Sequence, residues 1–559
     1  MKIALAPVNV VLGDFEGNLK IHQARVKEAS ERGAELVAFP ELSLVGYSPL
    51  DLMGRPSWAA KASAQLDQFH SWLQEKYPKL AVIVGTTVSV DAESLTPRGI
   101  ANCAVFLQGK TREVRAKTLL PDYDVFHEMR YFDSAAGLGD SFRAPIKFGK
   151  HTLGILICED SWEEMEIRGK KIYRLDPTEH LKKQGCDLLV NISASPFDRA
   201  KRERRRTAIA ADAKRFGLPM AYVNHFGGHD DLVFDGDCFF MGVDGEASSQ
   251  KLDADNEILY FDTETPARKE TRTTRNELRG LETMLVTSIR DYCRKNGFQK
   301  AVLGISGGMD SALVAVLARL ALGPENVIGL IMPSKFSSVH SIEDAEALAR
   351  NCGFAYRHFP IKMPHSTFAM ALKPFFEGLP EDTTEENIQS RLRGMAVMAF
   401  SNKLKALALA TGNRSEFAMG YATLYGDMCG ALAPIGDLFK TEVYELAAYL
   451  NSVKPWIPEN TFTKPPSAEL RPNQTDQDSL PPYDLLDATL RLLLEQELDP
   501  EEALPLLKKS FPKADLALVE RVHKAVRVTE YKRKQAPPIV KVSVRAFGPG
   551  RVYPLTCHF

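Results

Sequence analysis

The sequence predicts two α/β domains in series, a layered α/β domain followed by a doubly wound parallel sheet. Three observations carry this prediction. Short apolar runs recur between polar turns from Met1 to about Tyr260, strand and helix patterns alternate from Ala301 onward, and a charged stretch poor in large apolar residues, Pro266 to Gly280, lies between. At 559 residues the chain is too long for a single core.

In the first half, Lys2 to Leu5, Leu36 to Phe39, Leu80 to Val84, Ala104 to Leu107, Leu153 to Ile157, Leu188 to Ile192 and Ala221 to Val223 have the length and apolarity of buried strands. Leu19, Ile21, Ala24, Val26 and Ala29 give Asn18 to Arg32 a roughly helical apolar face. In the second half, strand patterns at Ala301 to Ile305, Val327 to Met332, Tyr356 to Ile361 and Leu407 to Gly412 alternate with helical ones. The helices start at Asp310, run through Ile342 to Arg350, and lie near Asn387 to Leu404. Such alternation places a nucleotide at the carboxyl ends of the strands. The Pro-rich stretch Lys454 to Pro482 is expected to be an extended loop.

Seventy Lys and Arg against seventy-two Asp and Glu leave a formal charge of −2, so there is no basic footprint for nucleic acid. The eight cysteines are scattered without a C-x-x-C pair, which argues against a zinc knuckle or a disulfide framework and for a reducing cytoplasm. The N-terminus lacks the long apolar region of a signal peptide and no run reaches membrane-spanning length, so no membrane partner is expected.

Gly304 to Ala312 reads GISGGMDSA, with an apolar strand before it and an apolar helix after it. Backbone N–H groups at such a turn can embrace a phosphate, Ser306 and Ser311 add hydroxyl donors, and Asp310 supplies a hard oxygen for Mg²⁺. The loop is neither G-x-x-x-x-G-K-[ST], since no lysine follows, nor G-x-G-x-x-G, since the glycines are adjacent. An ordinary Gly-rich strand-to-helix turn is the alternative reading of these residues alone.

In the first half, Cys158 ends the run HTLGILIC, Glu41 follows the strand in VAFPE, and Lys117 follows another in AKTLLP. A thiol with an ordinary pKa of about 8.5 needs a base to attack an amide, and a cation is needed where an oxyanion develops. Any one of these residues alone is equally consistent with a structural role, an inert core thiol in the case of Cys158. Arg202 to Arg206, in the run KRERRR, reads as a solvated helix face.

SGGMDSA resembles the pyrophosphate loop of the ATP pyrophosphatases. EENIQSRLRG from Glu385, TGNRSEFAMGYATLYGDMCGALAPIGDLFKTEVY from Thr411 and KPPSAELRPNQTDQDSLPPYD from Lys464 are similar to the NAD synthetases within that group. FPE, K-T-L-L-P and ICED-x-W resemble the nitrilase superfamily, and VNHFGGHDDLVFDG from Val223 extends the match, with Cys238 standing where a serine is expected. Together they make the chain similar to the glutamine-dependent NAD synthetases over nearly its whole length.

The resemblance implies an N-terminal nitrilase-like αββα sandwich acting as a glutamine amidase (residues 1–262), a linker (263–280) and a Rossmann-like ATP pyrophosphatase domain (281–559). It implies Glu41 as general base, Lys117 as stabiliser of the tetrahedral intermediate and Cys158 as nucleophile. Tyr123, Ser195 and Lys201 would line the glutamine pocket; Glu128 either orients the substrate or lysine, or makes a structural ion pair. ATP would be held by Gly304, Ile305, Ser306, Gly307, Gly308, Met309, Asp310, Ser311 and Thr411, and Mg²⁺ by Asp310 and Glu416. Asn387, Glu416 and Lys532, the last with Lys534 as rival, would meet deamido-NAD, and Lys440 and Ser467 would contact phosphates. The family also implies homo-oligomers. A different amidotransferase sharing the loop, or a scaffold with decayed sites, are the competing classes; the long acceptor motifs oppose the first and intact Glu41, Lys117, Cys158 and Asp310 the second.

Overall fold

The computed structural model describes residues 1–91, 97–167, 169–248, 257–264 and 277–556. The chain divides into two compact units, Met1–His229 with Val233–Arg275, and Asp230–Leu232 with Asn276–Phe559. Of Pro266 to Gly280, residues 266–276 lie outside the described residues, as does Cys557, and the last four open a helix, Glu277–Lys295. Among the described residues no helix is long and apolar enough to cross a membrane, and the described cysteines are free thiols.

In the first unit, β1 (Lys2–Leu5), β2 (Leu36–Ala38), β3 (Ala81–Ser89), β4 (Ile100–Gln108) and β5 (Thr111–Ala116) form one sheet. A second contains β6 (Ile146–Phe148), β7 (His151–Ile157), β8 (Leu188–Ser193), β9 (Met220–Asn224), β10 (Phe239–Met241) and β11 (Ala247–Ser248) in the order β11-β10-β9-β8-β7-β6. The chain then returns through β12 (Leu259–Asp262) to complete the first sheet as β12-β1-β2-β3-β4-β5. The central strands are parallel, β1 to β3 in one sheet and β7 to β9 in the other. Residues that follow neighbouring parallel strands therefore emerge at one edge of their sheet.

Ile3, Leu36 and Ile83 of the first sheet share a core with Ile155, Val190 and Ala221 of the second. Helices α1 (Phe15–Glu31) and α2 (Pro56–Lys76) cover the outer face of the first through Leu19, Val26, Leu66 and Phe69. Helices α3 (Pro177–Lys183) and α4 (Lys201–Phe216) cover the second through Leu181, Ile209 and Ala213. The result is the four-layer αββα sandwich.

The solvated face expected for Arg202 to Arg206 is corrected by the structure. Arg205 is fully buried, its Nη1 3.2 Å from Asp235 Oδ2 and 3.2 Å from Asp237 Oδ2. Arg206 and Arg202 also reach Asp237, at 2.9 and 3.2 Å. Burial opposes the charge on Asp237, yet Arg206, Arg202 and Arg205 hold its carboxyl well below the usual range. Arg202, Arg205 and Arg206 thus form a cationic inner face matched to two aspartates some thirty residues later, which fastens α4 to the sandwich, while Glu203 and Arg204 are exposed.

The second unit contains β13 (Lys300–Gly304), α5 (Met309–Leu322), β14 (Val327–Ile331), α6 (Val339–Cys352), β15 (Ala355–His358), α7 (Thr383–Leu404) and β16 (Ala406–Ala408). The sheet is wholly parallel in the order β15-β14-β13-β16. Chain order reverses between β13 and β16, so the loop after β13 sits at the topological switch point where such sheets bind ligands. Lys454 to Pro482 is not one extended loop: Glu459–Thr463 is helical, entered through Pro458, whose fixed φ suits a helix start. Beyond it Tyr483–Leu494, Pro500–Leu507 and Leu516–Val528 pack around Leu486, Leu490, Val519 and Val522.

Replacing Arg205 with Met should leave Asp235 and Asp237 short of a buried partner and cost about 3–5 kcal/mol, read as a lowered urea midpoint. An unchanged midpoint would contradict the role given to this cluster.

Candidate active sites

Glu41 follows β2, Lys117 follows β5 and Cys158 follows β7, so three strand ends bring the side chains of the first site together. Lys117 Nζ donates to Glu41 Oε1 at 2.7 Å and to Glu128 Oε1 at 2.8 Å, with all three residues almost completely buried. Asn102 Nδ2 and the Ala194 N–H also donate to the Glu41 carboxylate, at 2.6 and 2.9 Å, and fix its orientation. Burial opposes the charge on Lys117, but Glu128 and Glu41 outweigh it and push its pKa well up. Burial raises Glu128 to about 8, with Lys117 pulling the other way.

Cys158 is buried and has φ +46, a left-handed conformation that a non-glycine residue adopts only when its surroundings impose it. Burial pushes its thiol pKa up, Glu41 adds to this, and Lys117 opposes it. A resting thiolate is thus disfavoured, and attack requires the proton to pass to a base. Asp160 joins the two loops: its carboxylate accepts from the backbone N–H of Thr118 at 3.0 Å, Leu119 at 2.8 Å and Ile157 at 3.0 Å. It thereby ties the residues after Lys117 to the residue before Cys158. Burial lifts Asp160 to about 7 against those three hydrogen bonds.

Around this cluster Tyr123 and Tyr173 both donate to Glu159 Oε1 at 2.8 Å. Lys201, at the start of α4, holds its ammonium 4.5 Å from the centre of the Trp162 ring. The backbone of Ser195, two residues beyond β8, is held by Asn224 and Arg205. Asn102, Glu159, Asp160 and Tyr173 had not been singled out from the sequence. The adjacency of Glu159 and Asp160 to Cys158 was the available signal; Asn102 and Tyr173 carried none.

In the second unit, a cavity of about 300 Å³ lies over the loop after β13. Every residue from Gly304 to Ser311 except Gly307 lines it, with Thr411, Glu416, Lys440 and Ser467. Gly307 has φ +80, and a Cβ there would lie 2.3 Å from the Ser341 carbonyl oxygen, so only glycine lets the loop pass. Ser311 Oγ receives the Ser306 N–H at 3.1 Å, and Ser306 Oγ receives the Gly308 N–H at 3.2 Å, which sets the turn at the start of α5. Lys440 Nζ is bonded to Asp310 Oδ2 and lies 3.5 Å from Glu416 Oε1. Burial and the Asp310 charge raise Glu416 to about 8.

Asn387 and Lys532 stand behind the cavity wall. Asn387 Oδ1 accepts from Thr423 Oγ1 at 2.8 Å, and Lys532 Nζ donates to the carbonyls of Gly420 and Ala422, both at 2.8 Å. These contacts hold the segment that contributes Tyr421, Ala422, Gly426 and Asp427 to the lining. Lys534 lies 3.8 Å from Glu530. Arg393 and Asp476 line the cavity and had been assigned no role from the sequence.

Residues 2–273 match the carbon–nitrogen hydrolase family and residues 282–536 the NAD synthase family. The chain is 43% identical over 565 residues to a glutamine-dependent NAD(+) synthetase of Synechocystis sp., covering 100% of this chain and 99% of that protein. It is 40% identical over 598 residues to one of Thermotoga maritima, again covering 100% and 99%. A solved structure of glutamine-dependent NAD+ synthetase from Acinetobacter baumannii in complex with adenosine diphosphate is similar at a TM-score of 0.72 and 32% identity, covering 99% of this chain and 98% of that one.

Lys117→Met should destabilise the first unit by about 3–5 kcal/mol, because it strands buried carboxyls. Adding Glu128→Gln should restore at least about 1 kcal/mol in a double-mutant cycle read by urea unfolding; additive losses would contradict the coupling.

Proposed function

The chain belongs to the family of glutamine-dependent NAD(+) synthetases, and we propose that the two sites described above divide that reaction between them. Glutamine is hydrolysed in the first unit. The second unit uses ATP to amidate deamido-NAD to NAD through an adenylated carboxylate, releasing pyrophosphate and then AMP. What carries the reading is that one chain, similar end to end to such synthetases, holds both a buried Glu–Lys–Cys cluster and a Gly-rich loop over a cavity edged by Asp310, Glu416 and Lys440.

In the amidase, the Cys158 sulfur attacks the side-chain amide carbon of glutamine while its proton passes to Glu41. The elevated thiol pKa favours such a coupled transfer over a standing thiolate. Lys117 faces the oxygen on which negative charge develops, and burial strengthens that attraction. Glu41 returns the proton to the departing nitrogen, ammonia leaves, and water hydrolyses the thioester to glutamate by the reverse sequence. Tyr123, Ser195 and Lys201 are assigned to the glutamine pocket, and Glu128 to holding the lysine.

In the synthetase, the backbone from Gly304 to Ser311 and the start of α5 face the phosphates of ATP, with Thr411, Lys440 and Ser467 as further contacts. Asp310 and Glu416 fit a hard divalent cation. Both carboxylates already approach one ammonium, that of Lys440. Mg²⁺ is commonly held by one or two carboxylates together with substrate phosphates, and Asp310 and Glu416 would supply the carboxylates. Bound there, Mg²⁺ would offset the charge of the triphosphate beside the substrate carboxylate. Asn387, Glu416 and Lys532 are assigned to deamido-NAD, the first and last through the wall they support.

The reading includes a cytoplasmic homo-oligomer. It is supported by the free thiols among the described cysteines and by strongly exposed apolar residues such as Met363 and Phe375 on the second unit.

Cys158→Ala should lower glutamine-driven NAD synthesis by more than about 10³-fold while ammonium-driven synthesis continues at close to its original rate. Loss of both in a folded variant would contradict the division of labour. Asp310→Ala should remove synthesis from either nitrogen source and leave glutamine hydrolysis measurable; retained ammonium-driven turnover would refute its role.

A further inference from the structure

Two carboxyl groups face each other between helix α4 and the segment that follows Cys158, outside the catalytic cluster. Glu163 comes directly after Trp162, and Asp212 lies on α4, the helix that Lys201 opens. Each is only 5% exposed. Glu163 Oε1 and Asp212 Oδ2 are buried with no hydrogen-bond donor, and Arg215, one turn beyond Asp212 on α4, lies 3.6 Å from Glu163, which brings the two carboxyls side by side. Ionised carboxylates only accept, so such a contact holds only if one oxygen carries a proton.

The surroundings favour that proton. Asp176, which caps α3, brings a third carboxylate. Arg215, itself half-exposed, is the shared cation: it lies 3.3 Å from Asp176, 3.6 Å from Glu163 and 3.2 Å from Glu164, and Lys171 is taken up by Glu164. One guanidinium spread over so many acids leaves the buried pair in negative excess.

We propose that Glu163 and Asp212 share one proton and act as positioning residues for glutamine hydrolysis, clamping α4 and its Lys201 onto the segment that carries Cys158 and Trp162. The inference rests on the amidase reading given above. Burial, then Glu163, lifts Asp212 to about 8, and burial likewise raises Glu163. An aspartate in the unfolded chain loses its proton near pH 4. The folded pair therefore keeps a proton that the unfolded chain lacks, and the stability this proton lends declines from about pH 4 upward and is gone once pH has risen through about 8. Above that pH two buried anions repel, and the seat of Lys201 against Trp162 loosens.

The test compares wild type with Asp212→Asn, whose amide donates to Glu163 at every pH, each profile normalised to its own value at pH 7. Wild-type kcat/KM for glutamine hydrolysis should fall roughly tenfold per pH unit above about 8, mainly through KM. In the variant that fall should be markedly shallower, any limb due to Glu128 being common to both, and the ammonium-driven profiles of the two should coincide. Should Asp212→Asn fail to fold, Glu163→Gln serves with the same expectations. The urea midpoint between pH 5 and 9.5 gives a reading independent of glutamine, and should decline in wild type relative to the variant up to about pH 8 and then run level. Parallel midpoints, or alkaline limbs that are identical in the two enzymes, overturn the shared proton. Wild type that hydrolyses no glutamine at pH 7 removes the amidase reading and with it the positioning role, whereas divergent midpoints would still support the proton itself.

Discussion

The burial of one ammonium group organises the first unit. Lys117 is 1% exposed, and taking such a charge out of water costs several kcal/mol unless opposite charge meets it. Glu41 and Glu128 meet it at 2.7 and 2.8 Å, from segments 76 and 11 residues away in sequence. Satisfying the lysine therefore requires that the ends of β2 and β5 and the short helix at Glu128 converge, and parallel strands in a closed sandwich allow this. Asp160 then binds the backbone after Lys117 to the end of β7, so the thiol of Cys158 inherits a place set by the charge cluster. Fold and chemistry share this constraint: an environment dry enough to raise the thiol makes the paired lysine a strong electrostatic partner for an oxyanion.

The second unit repeats this arrangement, one buried ammonium against two carboxylates. Lys440 lies against Asp310 and near Glu416, and Asp476 adds a further buried acid that its field reaches. A cavity that must accept a polyanion is thus edged by acids, which is coherent only if cations accompany the substrate. The Gly-rich loop supplies neutral N–H donors, which do not compete with those cations and cost no desolvated charge of their own.

Much of this was legible in the sequence where the physics is local. SGGMDSA announced its turn because adjacent glycines between an apolar strand and an apolar helix admit few conformations, and the parallel strands announced themselves as continuous apolar runs. Glu41 and Cys158 stood out because each follows such a run, whereas the strand before Lys117 reads TREVRA and pairs antiparallel with its neighbour. What stayed hidden depends on partners distant along the chain. The burial of Arg205 could not be read from KRERRR, because Asp235 and Asp237 reach it only in the folded state. Helix α2 was obscured because Gln65 and His70 share its buried face with Leu66 and Phe69. The upward shift of Glu128 follows from burial rather than residue type, and the approach of Glu163 to Asp212 joins elements separated by β8 and α3.

The most direct test of the account is a single assay of the intact protein with ATP, Mg²⁺ and deamido-NAD, run in parallel with glutamine and with ammonium. NAD, AMP and pyrophosphate are followed together. The account predicts NAD from both nitrogen sources, with AMP and pyrophosphate formed in equal amounts to it. Hydrolysis of glutamine without NAD from either source would leave the amidase standing and contradict the assignment of deamido-NAD to the cavity over Gly304 to Ser311.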